Sequence, residues 1–281
     1  MLLKSAQFIL FGSIFIAACA VGFCIETSIL LNTPLNHFGF YSFVFGATLF
    51  QYNLHYIVKT AAVQGSERLH WTIKNQKIHF FLLVAGVILI VVSVFSFQVR
   101  HLGILLILGV ISLLYSFPFL PFGKKKRIKD YGVFKIITLS LLWTLVTVWL
   151  PAAGMHYDTG LFFFIFFKRF VFMMILCLLF DMRDIEIDRS QNIRTLAVLL
   201  GRKKSYWFAY LLTALFIIAC ILQFLYLPRP NFFIAMLISI FITTIIIELT
   251  KKSNSDYIYL AGVDGMMLLQ SLLIMLFSLK A

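Results

Sequence analysis

Acidic residues are scarce in this sequence, with 11 Asp and Glu against 24 Lys and Arg in 281 positions. Charged residues of both signs together make up only 12%, which excludes an ordinary water-facing globular surface. Cysteine is nearly as sparse. Cys19, Cys24, Cys177 and Cys220 form no CxxC or Cys/His spacing, so they read as small buried residues rather than disulfides or zinc ligands. No low-complexity tract, coiled coil or phosphate-binding glycine loop is present. No stretch between the apolar runs is long enough for a separate soluble domain.

What the chain has instead is apolar sequence, 62% of it hydrophobic, with a mean hydropathy of +0.98. Runs of roughly 17–25 residues, enough to cross a hydrocarbon layer of about 30 Å, recur throughout. Nine are expected, at Phe8–Leu31, Phe38–Lys59, Ile78–Gln98, Leu102–Phe119, Val133–Leu150, Leu161–Asp181, Tyr206–Leu227, Phe232–Leu249 and Tyr257–Leu279. The expected fold is all-α, a polytopic membrane helical bundle forming one domain over residues 1–281.

The net charge of +13 is distributed by topology and gives no nucleic-acid signal. Lys and Arg crowd the connections after spans two, four, six and eight, and nearly vanish from the others. By the positive-inside rule the rich connections are cytoplasmic. Lys4 places the N-terminus inside too, and an odd span count places Ala281 on the opposite side, in the inner membrane if the source is bacterial. Ile16-Ala17-Ala18-Cys19 resembles a lipoprotein cleavage box. Its apolar run continues to Leu31, however, and cleavage would break the charge alternation, so an uncleaved first helix is expected.

Four of the few acids fall within eight positions, in Asp181-Met-Arg-Asp184-Ile-Glu186-Ile-Asp188. If one helix continues through them, Asp181, Asp184 and Asp188 stand at i, i+3 and i+7 on one face. Such a face is either a solvated helix end or a site for Mg²⁺, which bridges protein carboxylates to substrate phosphates.

This stretch, with Arg194-Thr195-Leu196 and Gly201-Arg202 after it, resembles the second aspartate-rich motif of the UbiA superfamily of intramembrane prenyltransferases. Tyr115-Ser116-Phe117-Pro118 and the basic run from Lys124 resemble that family's Tyr-Ser/Thr-x-Pro segment and basic loop. The resemblance implies a helical bundle around a lipid-facing cavity. It implies Mg²⁺-dependent transfer of a prenyl group from a polyprenyl diphosphate to an aromatic or other lipophilic acceptor. Asp181, Asp184 and Asp188 match the metal and diphosphate positions, Arg194 falls in the same block, and Tyr115 matches a position near the reacting carbon.

The chain departs from the family at its first motif, Asn-Asp-x-x-Asp-x-x-x-Asp. The corresponding stretch starts at Asn53 and carries Leu54, Ile57 and Ala61 where the family has aspartates. Ionising an allylic diphosphate needs cations ready for the leaving group. His55 and Lys59, four residues apart on one helix face, and Arg68 after them are candidates, with Asn53 beside them. Alternatively, Lys59 snorkels at the interface and His55 packs. Lys124 and Lys126 serve as a topology anchor and as a diphosphate attractor. Asp264, inside the last span, either binds acceptor in a cavity or pairs with a buried base. Lys168 or Arg169 is a candidate partner for Asp264 or Glu26. The rival function is a catalytically degenerate homologue that binds an isoprenoid or quinone-like lipid without turnover.

Overall fold

The structure, a computed structural model, describes residues 2–58, 67–97, 99–116 and 132–279. All regular elements among them are helical. They are α1 (Leu2–Phe11), α2 (Ile14–Leu31), α3 (Phe38–Val58), α4 (Glu67–Lys74), α5 (Gln76–Val94), α6 (Val99–Ser116), α7 (Val133–Thr144), α8 (Leu150–Ala152), α9 (Thr159–Arg183), α10 (Ile185–Ser190), α11 (Leu196–Tyr226), α12 (Pro230–Lys252) and α13 (Gly265–Ser278). π-helical turns at Leu145–Trp149 and Ile258–Val263 join α7 to α8 and lead into α13.

Seven helical segments of the described residues are long and apolar enough to cross a membrane: Ile14–Leu31, Gln76–Val94, Val133–Ala152, Thr159–Arg183, Leu196–Tyr226, Pro230–Lys252 and Ile258–Ser278. α3 and α6 occupy the places of the other two expected spans. The chain is an integral multi-pass membrane protein. Its outer surface agrees: Leu211, Leu215, Ile218, Leu222 and Leu225 form an exposed apolar stripe at helical spacing on α11, suited to contact with lipid.

α9 is the central helix. Its middle is apolar all round, and Val171 to Leu179 is buried without a break, as expected of a helix surrounded by others. Asp158 starts it by accepting the Leu161 amide at 2.6 Å, which satisfies one of the open N–H groups of the first turn. α9 packs on α7 and α11, while α13 packs on α2 and α12. α3 lies closest to α5, where a Cβ on Gly46 would meet the Gly86 carbonyl at 3.0 Å. Small residues at such crossings let helix backbones approach.

Two boundaries differ from expectation. The first span is broken at Gly12-Ser13, where Ser13 is left-handed with φ 66°. The break frees the Gly12 carbonyl, which accepts from Asn53 Nδ2 at 3.1 Å. The seventh span starts just after Gly201 rather than at Tyr206: Gly201 is non-helical, at φ 74° and ψ 162°, and stops a short helix at 196–200 before the span.

The charged pair inside the bundle also finds its partner. Arg169 Nη2 stands 2.9 Å from Glu26 Oε1, both side chains 1% exposed, and its guanidinium lies over the Phe23 ring.

Candidate functional site

α9 ends inside the acid cluster. Arg183 is its last residue, Asp184 leaves helical geometry at φ −92°, ψ 8°, and α10 resumes at Ile185. The backbone ladder carries across, with the Asp188 amide donating to the Asp184 carbonyl at 2.9 Å. The three carboxylates nevertheless separate into two groups.

Asp181 and Asp188 share a cation. Lys135, near the start of α7, places Nζ 2.8 Å from Asp181 Oδ1 and 3.1 Å from Asp188 Oδ2. The two aspartate side chains are 6% and 8% exposed and the lysine 20%. At an effective dielectric near 20, opposite unit charges at this separation attract by about 5 kcal/mol before desolvation. Lys135 therefore turns a repelling pair of acids into an ion triad. Asp181 Oδ2 is buried and has no hydrogen-bond partner among the described residues. Tyr115, half-buried at the end of α6, lies within electrostatic reach of Lys135, Asp181 and Asp188.

The triad is held in place by a backbone contact. Gly132, at the start of α7, is left-handed with φ 54°, and a Cβ there would stand 2.0 Å from the Arg194 carbonyl. Glycine thus lets α7 sit directly against the segment entering α11. Thr195 caps that helix, accepting from the Val198 amide at 3.3 Å.

Asp184 turns to the other group. Its carboxylate accepts from Arg183 Nε at 2.8 Å and Nη2 at 3.3 Å. Arg183 Nη1 is 3.5 Å from Asp256 Oδ1, and Asp256 Oδ2 accepts the Arg68 amide at 3.0 Å. The Arg68 guanidinium donates to Ser13 Oγ at 3.4 Å. Asp264, buried, lies within electrostatic reach of Arg68 and Arg183. Arg68 and Arg183 are thus the cations whose field Asp264 feels, while Glu26 pairs with Arg169.

The structure thus brings Asp181, Asp188 and Tyr115 to one point, and Asp184, Arg68 and Asp264 to a neighbouring one. Asn53 is fully buried and faces elsewhere. It donates to the Gly12 and Leu49 carbonyls, and its Oδ1 is 2.7 Å from His79 Nδ1. His55 is half-buried on α3, and Arg194 is exposed. Lys59, Lys124 and Lys126 lie outside the described residues. Lys135, Arg183 and Asp256 escape sequence reasoning, although a lysine three residues into an apolar span is a legible signal.

Whether the donor set suits Mg²⁺ follows from this geometry. Among the described residues no group of three His, Cys, Asp or Glu side chains gathers to hold a metal ion. Two of the expected ligands already share an ammonium, and the third is turned toward a guanidinium. The arrangement as it stands does not fit a three-carboxylate Mg²⁺ site. At the far end of α9 an apolar groove of about 380 Å³ runs between Phe163, Phe167, Leu215 and Leu222. It offers nothing to a diphosphate and lies about 20 Å along the helix from Asp181.

Solved structures with this architecture exist. A UbiA homologue from Archaeoglobus fulgidus, bound to GPP and Mg²⁺, superposes with a TM-score of 0.68 at 16% identity, covering 98% of each chain. The same homologue bound to DMAPP and Mg²⁺ gives 0.62 at 16% identity, over 98% of this chain and 96% of that one. Digeranylgeranylglyceryl phosphate synthase gives 0.60 at 17% identity, over 99% of both. At these identities the likeness shows the fold. No functionally curated protein matches the chain. The sequence profile of the UbiA prenyltransferase family matches residues 71–261, a stretch that includes the Asp181–Asp188 cluster, and the chain belongs to that family.

Proposed function

We propose that this protein transfers a prenyl group from a prenyl diphosphate to a lipophilic acceptor, at the end of the bundle where α9 gives way to α10. The observation that carries the reading is the Asp181–Lys135–Asp188 triad with Tyr115 beside it. A buried set of charges at the end of a membrane bundle is costly to maintain, and such sets mark functional sites in membrane proteins. The Lys/Arg alternation supports a cytoplasmic location for this end, where a water-soluble diphosphate head can enter while its prenyl tail lies among apolar helices.

The reaction breaks the allylic C–O bond. The diphosphate departs with the electron pair, the allylic carbon is attacked by the acceptor, and the acceptor loses a proton. Charge grows on the leaving oxygens during this step, so donors fixed there in advance lower the barrier. In this chain Lys135 supplies an ammonium, with Arg68 and Arg183 close by. The Tyr115 ring offers a π face to the developing carbocation. In the archaeal relative Mg²⁺ accompanies GPP. Asp181, Asp184 and Asp188 do not gather for a shared ion.

The rival reading, a lipid-binding homologue without turnover, has one observation in its favour: Leu54, Ile57 and Ala61 stand where the first motif has aspartates. Incubating the purified protein with a panel of labelled prenyl diphosphates separates the two. Formation of free prenol or prenylated lipid above background supports transfer. Saturable binding with no bond cleavage for any donor supports the rival.

A further inference from the structure

We infer that Lys135 is a resident cation that stands in for a divalent metal ion, so that this chain holds a diphosphate at the Asp181/Asp188 face without one. The inference rests on the prenyl-diphosphate reading above and deepens it. It follows from what the two aspartates touch. Carboxylates used to hold a divalent ion need their oxygens open to it, and they repel each other until it arrives. Here Asp181 Oδ1 and Asp188 Oδ2 already hold one ammonium, at 2.8 and 3.1 Å.

The ammonium is well suited to the substitution. It has three N–H donors. Two face the aspartates, which leaves one for a phosphate oxygen. The lysine side chain is 20% exposed while its partners are 6% and 8% exposed, so the open side of the triad is the lysine's. The carboxylates hold it as they would hold a metal, and its outer face meets the ligand. The difference is that it cannot be chelated away.

Two further observations agree. The third aspartate is not waiting for an ion, since Asp184 accepts from Arg183 at 2.8 Å. The stretch from Asn53 has also lost all three aspartates of the first motif, and the residues that reach the neighbouring group from that side of the chain include Arg68, whose guanidinium meets Ser13. The first stretch lacks its acids, and the three acids of the second are each paired with a fixed organic cation, Lys135 or Arg183. Lysine is a compact ammonium on a flexible stem, and Gly132 fixes where that stem starts by its approach to the Arg194 carbonyl.

The test has two independent arms on the full-length protein in detergent. In the first, binding of labelled geranyl diphosphate is measured in EDTA and in Mg²⁺. The wild type should bind within about threefold equally in both. Lys135→Ala should lose at least about tenfold in EDTA and regain much of it in Mg²⁺, because the freed carboxylates then take the ion. Lys135→Arg should keep binding in EDTA. In the second arm, Mn²⁺ alone is titrated and followed by electron paramagnetic resonance. The wild type should hold no Mn²⁺ that depends on Asp181, whereas Lys135→Ala should gain one site per chain that a further Asp188→Asn removes. A wild type whose geranyl diphosphate binding collapses in EDTA overturns the inference. So does a wild-type Mn²⁺ site lost on Asp181→Asn. If Lys135→Ala does not fold, Lys135→Gln takes its place, and the wild-type measurements decide by themselves. A wild type that binds no prenyl diphosphate in either buffer defeats the functional reading, and the Mn²⁺ arm still decides the role of Lys135.

Discussion

Replacing Glu26 by Leu should destabilise the bundle by about 5 kcal/mol, and replacing Arg169 by Leu by about 3, the two ends of the range for breaking a buried ion pair. The asymmetry comes from the surroundings. Glu26 Oε1 lies 2.9 Å from Arg169 Nη2 as an ion pair and accepts from Gln270 Nε2 at 3.0 Å, and it is the acid that lies within reach of the buried Lys168. Removing it leaves two cations buried in the bundle with no counter-charge. Removing Arg169 leaves Glu26 with Gln270 and Lys168 still beside it. The double replacement should cost less than Glu26→Leu by itself, because Arg169 is no longer buried without its acid, but still about 3 kcal/mol, because Lys168 is. Unfolding in mixed detergent micelles, followed by Trp fluorescence, reads all three variants. The pair lies twelve residues before Asp181 on α9, about 18 Å along the axis, so prenyl diphosphate binding by the double variant should match the wild type. Single variants that each cost under 1 kcal/mol, or a larger loss for Arg169→Leu than for Glu26→Leu, would refute the reasoning.

Other predictions follow from the same structure. Gly132→Ala should cost about 1–3 kcal/mol from its left-handed backbone. With a Cβ 2.0 Å from the Arg194 carbonyl, it should also lower turnover at least tenfold by displacing Lys135; thermal unfolding and an initial-rate assay check the pair. Asn53→Ala should destabilise by about 1–3 kcal/mol, since it removes the buried hydrogen bonds of Asn53 with His79 Nδ1 and the Gly12 carbonyl. Geranyl diphosphate affinity in the folded fraction should stay unchanged. Leu215→Arg, on the lipid-facing stripe of α11, should reduce membrane insertion by about 2.5–3.5 kcal/mol if it lies at the bilayer centre, read by a glycosylation-reporter insertion assay.

Much of the fold was legible because a membrane simplifies the reading. Backbone polar groups cannot go unpaired in hydrocarbon, so each apolar run of sufficient length becomes a helix. The Leu161–Asp181 run became the central helix, and its start at Asp158 and end at Arg183 fall within a few residues of the expected limits. The break at Gly12-Ser13 was not legible, because its reason is the side chain of Asn53, 41 positions away. The acid cluster was conspicuous against a sequence with so few acids. Its internal division was not, since the i, i+3, i+7 argument assumes one helix, and the chain leaves helical geometry at Asp184. Lys135 was not legible as a site residue. Its meaning depends on Asp188, 53 positions later, and no local pattern joins them. Asp256 is a similar case, since its partner Arg68 lies 188 positions earlier. Asn53, the retained residue of the first motif, carried its family resemblance into a place where its amide is engaged by Gly12 in the break after α1, by Leu49 of α3 and by His79 of α5.

The most direct measurement is of where the C–O bond breaks. Single-turnover release of labelled inorganic diphosphate from geranyl diphosphate, compared among wild type, Asp181→Asn and Lys135→Ala, measures it. The wild type should release diphosphate in a burst, and both variants should release it at least about a hundredfold more slowly, the usual loss when one preorganised donor is removed from a developing anion. Release by the wild type at the rate of the buffer control, or release that both variants preserve, would contradict the claim that this end of α9 ionises a prenyl diphosphate.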